Sequence, residues 1–173
     1  MQCRARLGIL ALTSGLLTLA SDVSSAGPQT SAKPAAIRAC SLLTREEVKK
    51  IVGGHPDPTI DKVFDKMPLE EDSLAGGGSS CGYPSVHIQI NPFPFSTIDD
   101  MRKKDPSAWT TVSGVGDAAY LRNNRDEWAE LFARAGKHVV TIQLDLEPPR
   151  ETLEKARPAA SALAQALIAK LPK

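Results

Sequence analysis

The residues Gly78-Ser79-Ser80-Cys81-Gly82 have the Gly-x-Ser-x-Gly spacing of a nucleophile elbow. That motif works because a strand-to-helix turn lifts its serine above a parallel sheet. Here a Gly-rich segment precedes the serine, and Pro84 and a strand-like run follow it. The helix that the elbow needs is missing, and the segment reads as loop. Gly114-Val115-Gly116-Asp117 carries two glycines of a dinucleotide fingerprint. The next residues, Ala118-Ala119-Tyr120-Leu121, lead into a strand, so no helix N-terminus is there to meet a phosphate. The expectation is a tight turn in which positive-φ glycines aim Asp117 at nearby backbone N–H groups.

His55, His87 and His138 are far apart and lack the spacing of a zinc site, which needs three or four converging ligands. Asp57, Asp61, Asp65, Glu70, Glu71 and Asp72 lack the ordered acid–glycine pattern of a calcium loop, and read as a solvated charged segment. No residue is therefore assigned to catalysis, a cofactor or a metal. Phe93-Pro94-Phe95 is the one candidate contact loop, since two phenylalanines flanking a proline are hard to bury together.

These residues sit in a chain of 173 residues with 21 Lys+Arg, 20 Asp+Glu and a formal charge of +1. Near-neutrality gives no footprint for nucleic acid. A hydrophobic content of 42% with 24% charged residues is that of a globular domain. At the N-terminus, Arg4 and Arg6 precede an uncharged run from Leu7 to Ser21. Its apolar part is shorter than the ~20 residues that span a bilayer as a helix. Ser24-Ser25-Ala26 follows with small residues, and Ala20 is a second cleavage candidate. Residues 1–26 read as a signal peptide, so the chain is expected to be exported, periplasmic or secreted, with no stable membrane span after cleavage. Removing them removes Cys3. Two of the three cysteines remain, Cys40 and Cys81, and in an oxidising space they are expected to pair.

Residues 27–39, rich in Ala, Ser, Pro and Lys, read as a flexible tether, and 40–173 as a single domain. Thr44-Arg45-Glu46-Glu47 is a capping box, with Leu43 and Val48 as its hydrophobic staple and Gly53-Gly54 as its stop. It predicts a helix over about 45–52. Residues 57–67 suit a helix or an edge strand equally. Pro68 to Ser80 reads as loop. Val86, Ile88 and Ile90 alternate with His87, Gln89 and Asn91, a strand with one wet face. A short helix over 98–104 follows. Strands over 118–122, 128–135 and about 140–146 form a meander, with turns at 123–126 and 136–137. Pro148-Pro149 ends the sheet. An alanine- and leucine-striped helix closes the chain over about 151–170, with Pro158 expected to kink it or delay its start. The expected architecture is α+β: an antiparallel sheet with helices packed on one face, and one disulfide.

Cys40-Ser-Leu-Leu-Thr44-Arg-Glu-Glu-Val48, Ser80-Cys81-Gly-Tyr83 and Val115-Gly116-Asp117-Ala118-Ala119-Tyr120 resemble, in this order, elements of a group of bacterial exported proteins and lipoproteins. That group shares a domain of unknown function. The resemblance spans about residues 40–171, and this chain lacks the lipidation cysteine of the lipoprotein members. It implies export and the Cys40–Cys81 pairing, and no catalytic residues. The leading expectation is an extracytoplasmic, non-enzymatic binding or accessory domain, acting on an unidentified small ligand or an envelope protein. A secreted interaction or inhibitor module is the second reading. A small hydrolase is the third, and it would need His87, His138 and a carboxylate in one cleft.

The leader is testable first. Intact mass and N-terminal sequencing of the exported protein should show cleavage after Ala26 or Ala20. A chain that keeps residues 1–26 would overturn the export reading.

Overall fold

The computed structural model describes residues 37–53, 57–124, 127–146 and 152–173. The proposed leader, the tether up to residue 36, His55 and the Pro148-Pro149 break lie outside the described residues. The fold is α+β, built on one seven-stranded antiparallel sheet. Its strands are β1 (Glu70–Leu74), β2 (Gly78–Tyr83), β3 (Val86–Asn91), β4 (Trp109–Thr111), β5 (Ala118–Asn124), β6 (Trp128–Ala135) and β7 (His138–Asp145), in the order β1-β2-β3-β7-β6-β5-β4. Two meanders, β1–β3 and β4–β7, are thus joined along the β3–β7 ladder. Its register pairs Ile88 with Ile142 and His87 with Gln143.

Period-2 alternation divides the sheet into two faces. On the inner face, Cys81, Ile88, Ile142, Leu131 and Leu121 form one cross-strand row, all at most 1% exposed. The helices α1 (Arg45–Val52) and α4 (Leu153–Ala169) join this core. Val48 of α1 and Ala156, Ala160, Leu163, Ala164 and Leu167 of α4 are buried in it. The alanines let α4 lie close to the strands. The α4 helix is continuous through Pro158, and Thr152 is its N-cap. On the outer face, α3 (Ser96–Lys104) lies on the connection from β3 to β4. That connection must pass β7, β6 and β5, a lateral distance of about 20 Å at the spacing of paired strands. A nine-residue helix supplies about 13 Å of it, and the flanking loops supply the rest.

The capping box is present as expected. Thr44 Oγ1 accepts from the Glu47 N–H at 3.2 Å, and the Thr44 N–H donates to Glu47 Oε2 at 2.8 Å. Glu47 also accepts from Lys170 Nζ at 2.6 Å, tying α1 to the end of α4. The Lys170 ammonium, then the Thr44 N–H, hold the Glu47 carboxyl below its ordinary range. The ambiguous 57–67 segment contains a helix, α2 (Pro58–Phe64), whose N-cap Asp57 accepts from the Thr59 N–H at 2.7 Å.

Two expectations are corrected. Residues 68–80 are not one loop: β1 and the start of β2 form a hairpin, turned by Gly76 and Gly77 at φ +88° and +96°. Acidic and Gly/Ser composition hid these strands, which cross-strand pairing stabilises in spite of weak propensity. Ordered packing also begins before Cys40. Ile37 packs on the core and Ala39 is fully buried. Ser79 Oγ donates to the Ile37 carbonyl at 2.7 Å and accepts from the Ala39 N–H at 2.9 Å.

The same strap carries the Cys40–Cys81 disulfide, with a sequence separation of 41. Closing a loop of that length stabilises by about 4 kcal/mol in the chain-entropy model. Beside it, Tyr83 donates its hydroxyl to the Leu43 carbonyl at 2.7 Å. Burial, then the Glu47 and Glu71 charges, push the Tyr83 phenol up to about 12. A raised pKa means stability that is complete below the ordinary value near 10 and lost as pH rises toward the folded value. The chain has two tyrosines, so a Tyr120→Phe variant isolates Tyr83. Its tyrosinate absorbance should stay absent through pH 10 and rise toward pH 12 as the fold is lost. A midpoint at 10 in the folded protein would mean that the Tyr83 hydroxyl is not buried in that hydrogen bond.

Candidate functional site

The outer face of the sheet has two halves. One half is apolar. Phe95 and Ile98 pack with Phe132 and Val139, joined by the half-buried Phe93, Met101, Trp109, Ala118 and Tyr120. Phe95 stacks on Tyr120 with ring centroids 5.6 Å apart, and the Arg102 guanidinium lies 4.4 Å from the Tyr120 centroid. The Phe93-Pro94-Phe95 loop is therefore not an exposed apolar edge. Phe95 is 6% exposed, Phe93 is half-buried, and only Pro94 is exposed. The reason is non-local: β5 and β6 offer an aromatic surface on which the start of α3 can bury its ring.

The other half is polar, and the β3, β5, β6 and β7 registers align it into one row. His87, Gln143, Glu130 and Arg122 are consecutive cross-strand partners, with Trp109 beyond them on β4. Glu130 is the centre of the row and is 3% exposed. A buried carboxylate is tolerated only when its lone pairs are satisfied. Its Oε1 accepts from Gln143 Nε2 at 2.7 Å and from Asn124 Nδ2 at 3.2 Å. Its Oε2 accepts from Arg122 Nε at 2.7 Å and pairs with Arg122 Nη2 at 2.6 Å. The guanidinium also lies 4.9 Å from the Trp109 ring centroid and 5.3 Å from that of Phe132.

This network sets the His87 tautomer. Gln143 donates through Nε2, so its Oε1 is the acceptor that faces His87 Nδ1 at 3.0 Å. In the neutral ring Nδ1 must then carry the hydrogen, and Nε2 is left as an acceptor. Gln89 Nε2, 3.4 Å from the same Nδ1, cannot donate to it in that tautomer. Its amide stays available for other partners. One position along, Asn91 Nδ2 donates to Thr141 Oγ1 at 2.6 Å, which leaves the Asn91 carbonyl oxygen over. His87, Gln89, Asn91, Gln143, Asn124, Arg122, Trp109 and Trp128 are all half-buried. The row is thus a preorganised surface of donors and acceptors, tied down by one buried ion pair.

The other sequence candidates fall elsewhere. Ser80 lies within β2, opposite Gln89 and Asp72, and is 3% exposed, so no strand-to-helix turn presents it. Gly114 and Gly116 have φ of +78° and +56°, and Asp117 Oδ2 accepts from the Gly136 N–H at 2.8 Å, which is the expected turn. A Cβ at Gly116 would strike the Arg134 carbonyl, so only glycine fits. His138 leaves the row altogether. Alternation along β7 puts it on the inner face, where its Nε2 is 3.3 Å from the Pro172 carbonyl. His87 and His138 do not share a cleft. Asp61 and Asp65 pair with Lys49, and Glu71 pairs with Arg38. Among the described residues, no group of three or more His, Cys, Asp and Glu is placed to hold a metal ion. No helix among them is long and apolar enough to cross a membrane.

Sequence reading identified the wet face of β3 but not the Glu130–Arg122 centre. The available signal was a lone acid inside the apolar run 128–135, one hairpin turn after a lone arginine. No family model, curated protein or solved structure matches this chain.

The network predicts coupled stability. Glu130→Ala strands the Arg122 guanidinium and should cost about 3 kcal/mol in chemical denaturation. Glu130→Leu combined with Arg122→Leu should cost clearly less than the two single leucine changes added together. Additive losses would mean that the pair does not hold the face together.

Proposed function

We propose that this chain is an exported, non-enzymatic binding or accessory domain that works through the polar half of its outer sheet face. The observation that carries this reading is the row from His87 to Trp109. The buried Glu130 consumes the inward-facing N–H groups of Arg122, Gln143 and Asn124. It thereby holds their remaining polar atoms and, through Gln143, the His87 ring in fixed positions. A rigid polar surface loses little side-chain entropy when it meets a ligand. The hydrolase reading is disfavoured by the separation of His87 and His138 on opposite faces, and by the placement of Ser80 inside a strand. Export rests on the leader composition, and the Cys40–Cys81 disulfide is compatible with an oxidising compartment.

One observation favours the protein-contact reading as a second choice. Ile60 and Val63, three residues apart on α2, and Met67 just beyond its end are 37%, 54% and 45% exposed. Such a patch would suit an envelope protein better than a small polar ligand.

Native mass spectrometry of the exported protein tests the first reading. The expected result is a processed, oxidised chain with a reproducible small-molecule adduct that Gln89→Ala with Asn124→Ala reduces. A bare chain, or an adduct indifferent to those changes, would overturn it.

A further inference from the structure

We infer that the polar half of the outer face is a subsite for a neutral oligosaccharide; this rests on the reading of that face as the binding surface. The row is poorly suited to an isolated ion or an extended peptide. The positive charge of Arg122 is matched by Glu130 at 2.6 Å, so little is left to attract an isolated anion. Both Glu130 oxygens already accept hydrogen bonds from Arg122, Gln143 and Asn124, so the carboxylate is not free for a cation. Strands β3, β7, β6 and β5 each have a paired neighbour on both sides, so an extended peptide has no ladder edge to join here.

What remains in the row itself is mixed hydrogen-bonding capacity with the Arg122 and Glu130 charges matched, while Asp145, opposite Trp128, brings a further carboxylate to the end of this face. Gln89 offers both a carbonyl and an amide, Asn124 keeps its carbonyl oxygen, His87 keeps Nε2, and Arg122 keeps Nη1. Hydroxyl groups donate and accept at once, and a polyol is the ligand class that uses such a set. The second requirement of a sugar is an apolar platform for its C–H faces. The registers Trp109–Arg122 and Trp128–Asn124 put both tryptophans of the chain on this same face, and both are half-buried. Indole rings combine apolar area with few rotatable bonds. Trp109 and Trp128 stand two strands and two residues apart, which is about 12 Å on an ideal sheet. That span exceeds one sugar ring, so a chain of linked rings should bind more tightly than a single sugar.

The two tryptophans give a direct readout, because each contributes one indole N–H signal in a nitrogen-edited NMR spectrum. The probes are maltotriose, cellotriose and tri-N-acetylchitotriose, with glucose and N-acetylglucosamine as single-ring controls. The expected result is saturable movement of both indole signals with at least one trisaccharide, and weaker binding of its single sugar. Gln89→Ala should weaken that binding by roughly threefold to tenfold, the loss of about one hydrogen bond. Trp128→Ala should weaken it by at least about tenfold, with folding checked by the remaining Trp109 signal. A panel that moves neither indole overturns the saccharide assignment. If the co-purified adduct of the exported protein still moves them, the face reading stands and only the ligand class falls. If that adduct moves neither indole, both fall.

Discussion

Six residue pairs, from Val86–Leu144 to Asn91–Val139, join β3 to β7. Each strand belongs to its own meander, and only their pairing makes one sheet of seven strands. The pairing aligns Ile88 with Ile142 and Ile90 with Val140, which makes the inner face continuous and apolar. It aligns His87 with Gln143 in the same stroke, which makes the outer row continuous and polar. Because side chains alternate with period 2, slipping this register by one residue would expose the isoleucines and bury the histidine. Core and candidate site are therefore two consequences of one register.

The two faces solve different problems. The inner face is sealed by α4, α1 and the strap at residues 37–43, which the disulfide, Ser79 and Tyr83 hold against β2. Hydrophobic burial dominates there, with every member of the central row removed from water. The outer face is closed only at one end, because the β3-to-β4 connection must cross it and carries α3 with it. The uncovered end could have been a simple solvated surface. Instead it contains a buried charge with a full set of donors. A buried ion pair is weak evidence for added stability, since apolar replacements often do as well. That contrast is a physical reason to place function in this row rather than in the apolar half of the same face.

Local signals in the chain were read correctly where local physics decides. The capping box at Thr44–Glu47 needs only four residues to form, and the structure has it. The Gly114–Asp117 turn follows from the backbone freedom of glycine and the reach of a short carboxylate. The alternation in 86–91 and in the late meander identified β3, β5, β6 and β7. The missed strands are those whose residues have little strand preference of their own. The β2 segment is Gly-Ser-Ser-Cys-Gly-Tyr, β1 is largely acidic, and β4 has three residues. Each exists because a neighbouring strand supplies hydrogen-bond partners.

The α+β class, the alternating faces of the central strands, the helix start at Thr44, the glycine turn before Asp117 and the pairing of Cys40 with Cys81 were legible in the amino-acid sequence. Those features depend on neighbours in the chain or, for the cysteines, on how few of them the chain has. The burial of Phe95, the separation of His138 from His87 and the meeting of Glu130 with Arg122, Gln143 and Asn124 arise in the assembled sheet. These outcomes depend on strand order and register between segments up to 56 residues apart, as for His87 and Gln143. No local pattern encodes such a distance, because the free energy that selects it belongs to the assembled sheet.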